Sequence, residues 1–378
     1  AARRLQDAGR RVQVWEADPQ PGGWARTLDW PGPEGEPGTL ERGPQSLRAP
    51  EGSALMTLVR DLGPTPLPMS RRGPRWLLDG GGLRRWPSLG HTLGLGGGLR
   101  LLTEPFHGPG RGDASLEDFA RRRHGRAFAE ALLPPLVGSL LAAHPRDLDP
   151  LALPALVQMD RFGGWLADRL RRGAPRRWTL PGGMGQLAAG LARRLDVRPA
   201  TAVRTLKAEG GGWWVIGDGA SVWAPQVILA LPPPAAAALL APLAPEAALH
   251  LEALGTTHLW VRHTRHAPTL PDLGLRVHPD VGGPLVGLQG RRQGPWLQVT
   301  TYLRAPKAPH VALPGLGPVL QERWTEAALP LIPPGHGPRR AAILAALPPG
   351  LDAIGPWRWG PGLAELAEGA AAWKAPGS

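Results

Sequence analysis

The sequence contains no cysteine. Disulfides, thiolate metal centres and thiol nucleophiles are therefore excluded, and a reducing compartment, the cytoplasm, is the expected setting. Lysine is scarce: it occurs only at positions 207, 307 and 374, so arginine supplies 40 of the 43 basic residues. Long charge-free runs are also few. The longest, residues 219–245, contains Pro225, Pro232, Pro233, Pro234 and Pro242. A spanning helix needs about 20 predominantly apolar residues without such breakers. The run reads instead as a buried strand over residues 226–231, followed by a helix that starts after the prolines. No transmembrane segment is expected.

What is present is a chain of 378 residues with a 42% hydrophobic fraction, enough for a sizeable core in two or three domains. The formal net charge is +12. Ala, Gly, Pro, Arg and Trp are all abundant and share GC-rich codons, so genome bias accounts for part of the arginine. The rest suits an anionic substrate or a membrane surface. No known module interleaves aromatic and basic residues, so no nucleic-acid partner is expected.

Residues 12–28 read VQVWEADPQPGGWARTL. Residues 1–8 read as the end of a helix, with Leu5 and Ala8 facing inward, Arg3, Arg4 and Asp7 outward, and Gly9 as its C-cap. Val12 and Val14 begin a short strand that ends at Glu16. Helix, glycine, strand and terminal acid form the second half of a βαβ dinucleotide unit, in which the acid accepts hydrogen bonds from a ribose. The phosphate-binding glycine loop of such a unit lies about 20 residues before that acid. Here that count falls ahead of Ala1, and the expectation is that the sequence starts inside the fold, N-terminally truncated. Gly22 and Gly23 let the backbone approach a ligand closely, and Arg26 follows on the same loop.

An acid followed by G-G-x-x-R-T resembles the FAD-dependent superfamily of amine oxidases, phytoene desaturases and protoporphyrinogen oxidases. Trp24 after the double glycine, and Glu41-x-Gly43-Pro44-Gln45-Ser46 downstream of it, resemble the protoporphyrinogen/coproporphyrinogen oxidases in particular. The resemblance continues, in varying strength, along nearly the whole chain and is faint over residues 234–349. PRWLLDGGGLRRWP (residues 74–87) is similar to the strand and hairpin that reach the substrate, with Arg75 matching a propionate-binding arginine. A bidentate guanidinium fork suits a carboxylate, although an exposed edge-strand arginine is the alternative. Residues 114–150 resemble the helical, membrane-facing domain, with Ser115 as cap, Glu117 and Asp118 in the first turn, and Arg121–Arg123 as a solvated face. Gly183, Gly185 and Ala188 spell G-x-G-x-x-A. No proper strand is expected before them, no acid follows at the right distance, and they resemble instead the P-G-G-M-x-x-L helix start of the family. A strand over residues 202–206 then brings the Val203 backbone to the adenine, and residues 213–233 resemble a hairpin and a strand ending in proline. Gly360-Pro361-Gly362-Leu363 resembles the closing turn whose helix N-terminus faces the pyrophosphate. The usual Asn-Asp there is replaced by Ala364-Glu365.

The resemblance implies an α/β fold: a Rossmann-like FAD-binding domain (residues 1–65, 181–232 and 335–378), a sheet-based substrate domain (66–88 and 233–334) and a helical domain (89–180). FAD would be held by Glu16, Gly22, Gly23, Trp24, Arg26, Gly43, Pro44, Gln45, Ser46, Val203, Pro361, Gly362 and Leu363, and the substrate by Arg75. The implied reaction is oxidation of protoporphyrinogen or coproporphyrinogen with O2 in heme biosynthesis. Ferrochelatase and a membrane surface are the implied contacts. Another FAD-dependent amine oxidase or carotenoid desaturase is the alternative, as is a non-catalytic remnant that binds porphyrin or a partner. His258, His263 and His266 lie on a strand-like stretch whose side chains alternate, so no metal is expected there. His336, in P-P-G-H-G, reads as structural.

Overall fold

The computed structural model describes residues 1–69, 73–86, 96, 112–154, 156–157, 176–267, 270–306 and 313–374. Helix α1 (Ala2–Asp7) leads through Gly9, at φ +78°, into strand β1 (Gln13–Trp15). Strands β2 (Thr27–Asp29), β3 (Thr39–Glu41) and β4 (Leu47–Ala49) precede helix α2 (Ala54–Leu62). Apolar residues at 55, 56, 59 and 62 make one buried face on α2, Ser53 caps its start and left-handed Gly63 ends it. After β5 (Leu67–Pro68) comes the hairpin of β6 (Arg75–Asp79) and β7 (Gly82–Arg85). Helix α3 (Leu116–His124), a π-helical turn (Phe128–Leu132) and helix α4 (Leu133–Leu141) form a helical unit around Leu116, Phe119, Leu133 and Val137. Strand β8 (Arg176–Thr179), helix α5 (Gly185–Ala192) and strand β9 (Asp196–Arg198) return the chain to β1. Then follow β10 (Val203–Glu209), β11 (Gly212–Gly217), β12 (Ala220–Ala224), β13 (Val227–Leu229), helix α6 (Pro233–Leu240) and helix α7 (Pro245–Glu252). The remainder is β14 (Thr256–His266), β15 (Leu273–Val277), β16 (Leu285–Gln293), β17 (Trp296–Leu303), β18 (Val319–Pro330), helix α8 (His336–Ala345), β19 (Leu351–Ala353), helix α9 (Pro356–Trp359) and helix α10 (Leu363–Ala372).

Two parallel pairs, β1 with β9 and β13 with β19, join distant parts of the chain, and β10–β12 form an antiparallel meander beside them. A seven-stranded mixed sheet runs β18-β14-β17-β16-β15-β6-β7, in which the early hairpin is added to the later strands through the parallel pairing of β6 with β15. Side-chain alternation divides this sheet into two faces. One carries Leu273, Leu275, Val277, Leu288, Leu297 and Val299, a single apolar cluster. The register places Arg75, Gly274, Gln289 and Thr300 side by side on the other.

Several expectations need correction. Ala8 is exposed, because α1 ends before its apolar side closes on the core. Arg123 is buried at 1% exposure, since it lies seven residues after Leu116 and thus on the inner face of α3. Arg121 and Arg122 pair with Glu117 and Asp113, at 2.6 and 2.7 Å, rather than facing water alone. Strand β8 does precede Gly183, but it pairs antiparallel with β4 and β5, unlike the parallel strand of a dinucleotide loop. The strand expected at 226–231 is only three residues long, and Pro233 and Pro234 open α6 instead of standing before it, where a missing N–H costs nothing. Pro87 and much of the helical segment around residues 88–111 and 158–175 lie outside the described residues. Among the described residues no helix is long and apolar enough to cross a membrane.

Candidate active site

The end of β1 is locked on both sides. The Glu16 amide donates to the Arg198 carbonyl at 2.9 Å, and its carbonyl accepts from Thr201 at 2.8 Å. Its carboxylate accepts the Asp18 amide at 3.0 Å, which holds it beside the loop that follows. Trp15 and Val203 pack against the same cluster, around Leu206 and Trp213, so β1 and the start of β10 share one core although they belong to different sheets. Gly22 has φ +126°, and a Cβ there would come within 2.8 Å of the Ala188 Cβ on α5. Gly23 has φ +54° with nothing within 4 Å of the Cβ position, so open space adjoins the loop. Arg26 is less free than its sequence position implies: it pairs with Asp18 and donates to the Gly23 carbonyl at 3.0 Å, bracing the loop.

Trp24 and Gly43 meet directly, since a Cβ on Gly43 would lie 2.4 Å from the Trp24 carbonyl oxygen. Beyond Gly43 and Pro44, the Gln45 amide donates to the carbonyls of Glu41 and Gly43 at 3.2 and 3.3 Å, and Ser46 Oγ accepts from Arg177 at 3.1 Å. Glu41 fastens this turn to the α5 start: it accepts the Thr27 hydroxyl at 2.9 Å and the Met184 amide at 3.0 Å. Burial pushes its carboxyl pKa up, against the pull of those donors and Arg291. Leu363 packs against the cluster of Leu47, Trp178 and Leu187, next to Ser46. Pro361 and Gly362 lie at the start of α10, where Glu365 bends back until its Oε2 would lie 2.1 Å from a Cβ on Gly362. Glycines that a side chain would disrupt, open space beside the double-glycine loop and a tethered acid at a strand end fit a dinucleotide cofactor.

On the other side of Gln45 opens a cavity lined by Arg75, Arg177, Asp272, Gln289 and Arg291. Arg75, half-buried between β15 and β7 rather than on an edge, is held by the carbonyls of Pro74 at 3.3 Å and of Gly73 and Asp272 at 3.5 Å. Arg177 also donates to Gln289 at 3.5 Å, and Arg291 to the Thr179 hydroxyl. None of Arg75, Arg177, Arg276 and Arg291 forms an ion pair with a carboxylate among the described residues. Burial, reinforced by Arg177, Arg48 and Arg75, lowers the Arg276 pKa to about 10. Burial lowers that of Arg177 as well, with Arg75, Arg48 and Arg291 adding to it against Asp272. Burial also pushes the Tyr302 phenol up to about 12, while hydrogen bonds to Gln45 and Gln289 oppose the rise. Tyr302 thus bridges the Gly43–Ser46 turn and the cavity.

Arg177, Arg276, Gln289, Arg291 and Tyr302 were not singled out in the sequence. They sit on four strands, and no local motif marks them. The alternation of L-G-L-R-V and L-V-G-L-Q-G-R-R-Q shows that two faces exist, but not what the polar one meets. His258 is exposed, whereas His263 and His266 are buried, as alternation along β14 and its bulge dictate. His336 is buried and hydrogen-bonds through Nε2 to the Trp357 carbonyl at 2.6 Å, a structural tie.

Residues 1–286 match the family model described as flavin containing amine oxidoreductase. No curated protein matches the chain. Among solved structures, a protein from Exiguobacterium sp. 255-15 provisionally assigned as a protoporphyrinogen oxidase is similar at 19% identity, with a TM-score of 0.71 over 95% of this chain and 91% of that one. Cyclohexylamine oxidase from Brevibacterium oxydans IH-35A gives 18% identity and a TM-score of 0.70 over 98% and 94%. Reduced UDP-galactopyranose mutase gives 14% and 0.65 over 97% and 90%. At such identities the likeness is one of fold, whereas the family match spans well over half the sequence. The chain therefore belongs to the flavin-containing amine oxidoreductase family and is an FAD-dependent oxidoreductase.

Proposed function

We propose that the protein oxidises a porphyrinogen to the porphyrin, with O2 as the final acceptor. The observation that carries this reading is the arginine-lined cavity beside Gln45 and Ser46. An amine substrate is a cation at neutral pH and would enter a field set by Arg75, Arg177 and Arg291, with Asp272 as the one lining carboxylate among the described residues. A carotenoid would leave those guanidiniums dry and unpaired, which is costly. A substrate with propionate arms satisfies them through charge-assisted hydrogen bonds.

FAD, when bound, supplies the two-electron acceptor for each dehydrogenation. The overall change removes six electrons and six protons from the porphyrinogen and reduces three O2 to three hydrogen peroxide. The protein's own part is placement. Glu16 and Val203 address the adenosine end, Gly22–Arg26 and Pro361–Leu363 the pyrophosphate, and Gly43–Ser46 the isoalloxazine. Arg75 holds a propionate. The parallel pairs β1–β9 and β13–β19 support a flavin domain drawn from residues 1–65, 181–232 and 335–378. The seven-stranded sheet supports a substrate domain of residues 66–88 and 233–334, leaving 89–180 as the helical domain. The same reading places the protein in heme biosynthesis, with ferrochelatase and a membrane surface as contacts, for which the +12 net charge is the supporting feature.

The test is direct. The FAD-loaded protein is supplied separately with a porphyrinogen, cyclohexylamine and putrescine, while porphyrin fluorescence and O2 uptake are followed. Porphyrin appearing with O2 uptake, and no uptake with the amines, supports the reading. Uptake driven by the amines alone overturns it.

A further inference from the structure

We propose that Gln289 and Tyr302 are positioning residues for the cofactor: with Arg177 they close a ring of hydrogen bonds that fixes Gln45 and Ser46 to the seven-stranded sheet. This rests on the reading above that the Gly43–Ser46 turn meets the isoalloxazine.

The turn needs an anchor outside its own strands. It joins β3, in a two-stranded sheet with β2, to β4, in a three-stranded sheet with β8 and β5. Backbone pairing therefore ties it to no strand of the seven-stranded sheet. The register of that sheet supplies the anchor. Tyr302 on β17 stands opposite Gly287 on β16, and Thr300 opposite Gln289. Residues two apart share a face, so Gln289 is the diagonal neighbour of Tyr302, within reach of an aromatic side chain. The Tyr302 hydroxyl hydrogen-bonds to the side chains of both Gln45 and Gln289. Its ring packs with Trp24, from the double-glycine loop, against Val261, Val286 and Ala327.

The ring closes through Arg177. One guanidinium nitrogen of Arg177 donates to Gln289 Oε1 at 3.5 Å and to Ser46 Oγ at 3.1 Å. Ser46 follows Gln45 in the chain, so Gln289 holds two adjacent turn residues, one through Tyr302 and one through Arg177. Gln45 passes the constraint to the backbone, since its amide donates to the carbonyls of Glu41 and Gly43 at 3.2 and 3.3 Å. Linked bonds of this kind support one another, and a cut at one point loosens the whole ring. The electronics of a bound cofactor are tuned by the protein groups set around it. A turn held by such a ring presents the same dipoles to the flavin in its oxidised and reduced forms. Tyr302 and Gln289 thus act on the flavin through Gln45 and Ser46, without touching it.

The experiment uses the FAD-loaded protein and its Tyr302→Phe, Gln289→Leu, Gln45→Ala and Tyr302→Phe/Gln289→Leu variants. The visible flavin spectrum and the midpoint potential by dye equilibration are read for each. Val299→Ala is the control for lost packing, because Val299 lies on β17 but on the apolar face. Tyr302→Phe and Gln289→Leu should each change the ratio of affinities for oxidised and reduced FAD by about 3-fold or more, about 14 mV for a two-electron couple. Both shifts should run in the direction of the Gln45→Ala shift. The double variant should go no further than either single one, because either cut opens the ring. Val299→Ala should lower the melting temperature and leave spectrum and potential in place. Tyr302 is the only tyrosine in the chain, so near-ultraviolet absorbance titrates it alone. Its phenol should ionise near 12 in the folded protein and near 10 in urea. Should Gln289→Leu not fold, Tyr302→Phe, which removes a single oxygen, carries the test. A folded-state phenol titrating near 10, or an equal shift in Val299→Ala, overturns the inference. So does a potential that Gln45→Ala moves while Tyr302→Phe and Gln289→Leu do not, and the turn then keeps its place at the flavin. If Gln45→Ala leaves the potential unmoved as well, the placement of the turn falls together with the inference.

Discussion

At the residue scale, most of the proposed cofactor contact is backbone, and two side chains give sharp tests. Glu16→Gln keeps the size of the residue and the acceptor for Asp18 N–H but removes its charge. Hydrogen bonds to a charged acceptor contribute roughly 1.5–3 kcal/mol, so FAD affinity should fall about 10-fold or more in a titration of the apoprotein. Unchanged affinity would remove Glu16 from the ribose. Arg75→Ala should raise KM for the porphyrinogen with little change in kcat, because a propionate contact is made equally in ground and transition states. Arg75→Lys should recover only part of the loss. Arg204→Gln serves as the control, since Arg204 pairs with Asp218 on the exposed meander and contributes only to the general field. Equal KM shifts in the Arg75 and Arg204 variants would make Arg75 an ordinary strand residue. Gly43→Ala tests the packing of the proposed flavin turn. Its Cβ would sit 2.4 Å from the Trp24 carbonyl oxygen, so the turn must move, and FAD content on purification should drop with it.

At the element scale, β14 carries a buried titratable group. His263 is fully buried between Thr325, at 2.9 Å, and Thr300, at 3.3 Å, with the Trp30 ring edge-on to it. Burial, reinforced by Arg323, lowers its pKa from 6.5 to about 4. Between those values the unfolded chain binds the proton and the folded one does not. The stabilisation is therefore complete above about pH 6.5 and lost as pH falls toward 4, amounting to about 3 kcal/mol. Urea unfolding at pH 7, 5.5 and 4.5 should show that slope, and His263→Gln should flatten it. An identical slope in the variant would assign it to other groups. The same strand shows where sequence reading succeeds and where it stops. Alternation identified β14 as a strand, and the capping Ser115 identified the start of α3, because both signals are local. Glu16, the double glycine and the Gly43–Ser46 turn were legible for the same reason. The arginine cavity was not, because it is created by register: β6 meets β15 across roughly two hundred residues of chain. The buried Arg123 was missed for a related reason, since a run of three arginines suggests solvent while helical phase decides which of them turns inward.

At the scale of the whole molecule, the proposed flavin domain is stitched from remote segments, and cofactor and fold should support each other. FAD at about 100 times its Kd should add about 2.7 kcal/mol of stability, raising the melting temperature in proportion to the logarithm of its concentration. A melting curve indifferent to FAD would mean that the folded chain does not hold it. The pairing of β13 with β19 has a further consequence, in the order of synthesis. Residues 227–229 leave the ribosome more than a hundred residues ahead of their partner at 351–353. At about 5–20 residues per second that gap lasts on the order of ten seconds. Throughout it a short apolar strand waits with an unpaired edge, while α6 and α7 are already free to fold beside it. The newborn chain thus passes through a stage at which the β13–β19 pair cannot close, and a chaperone is most useful to it then.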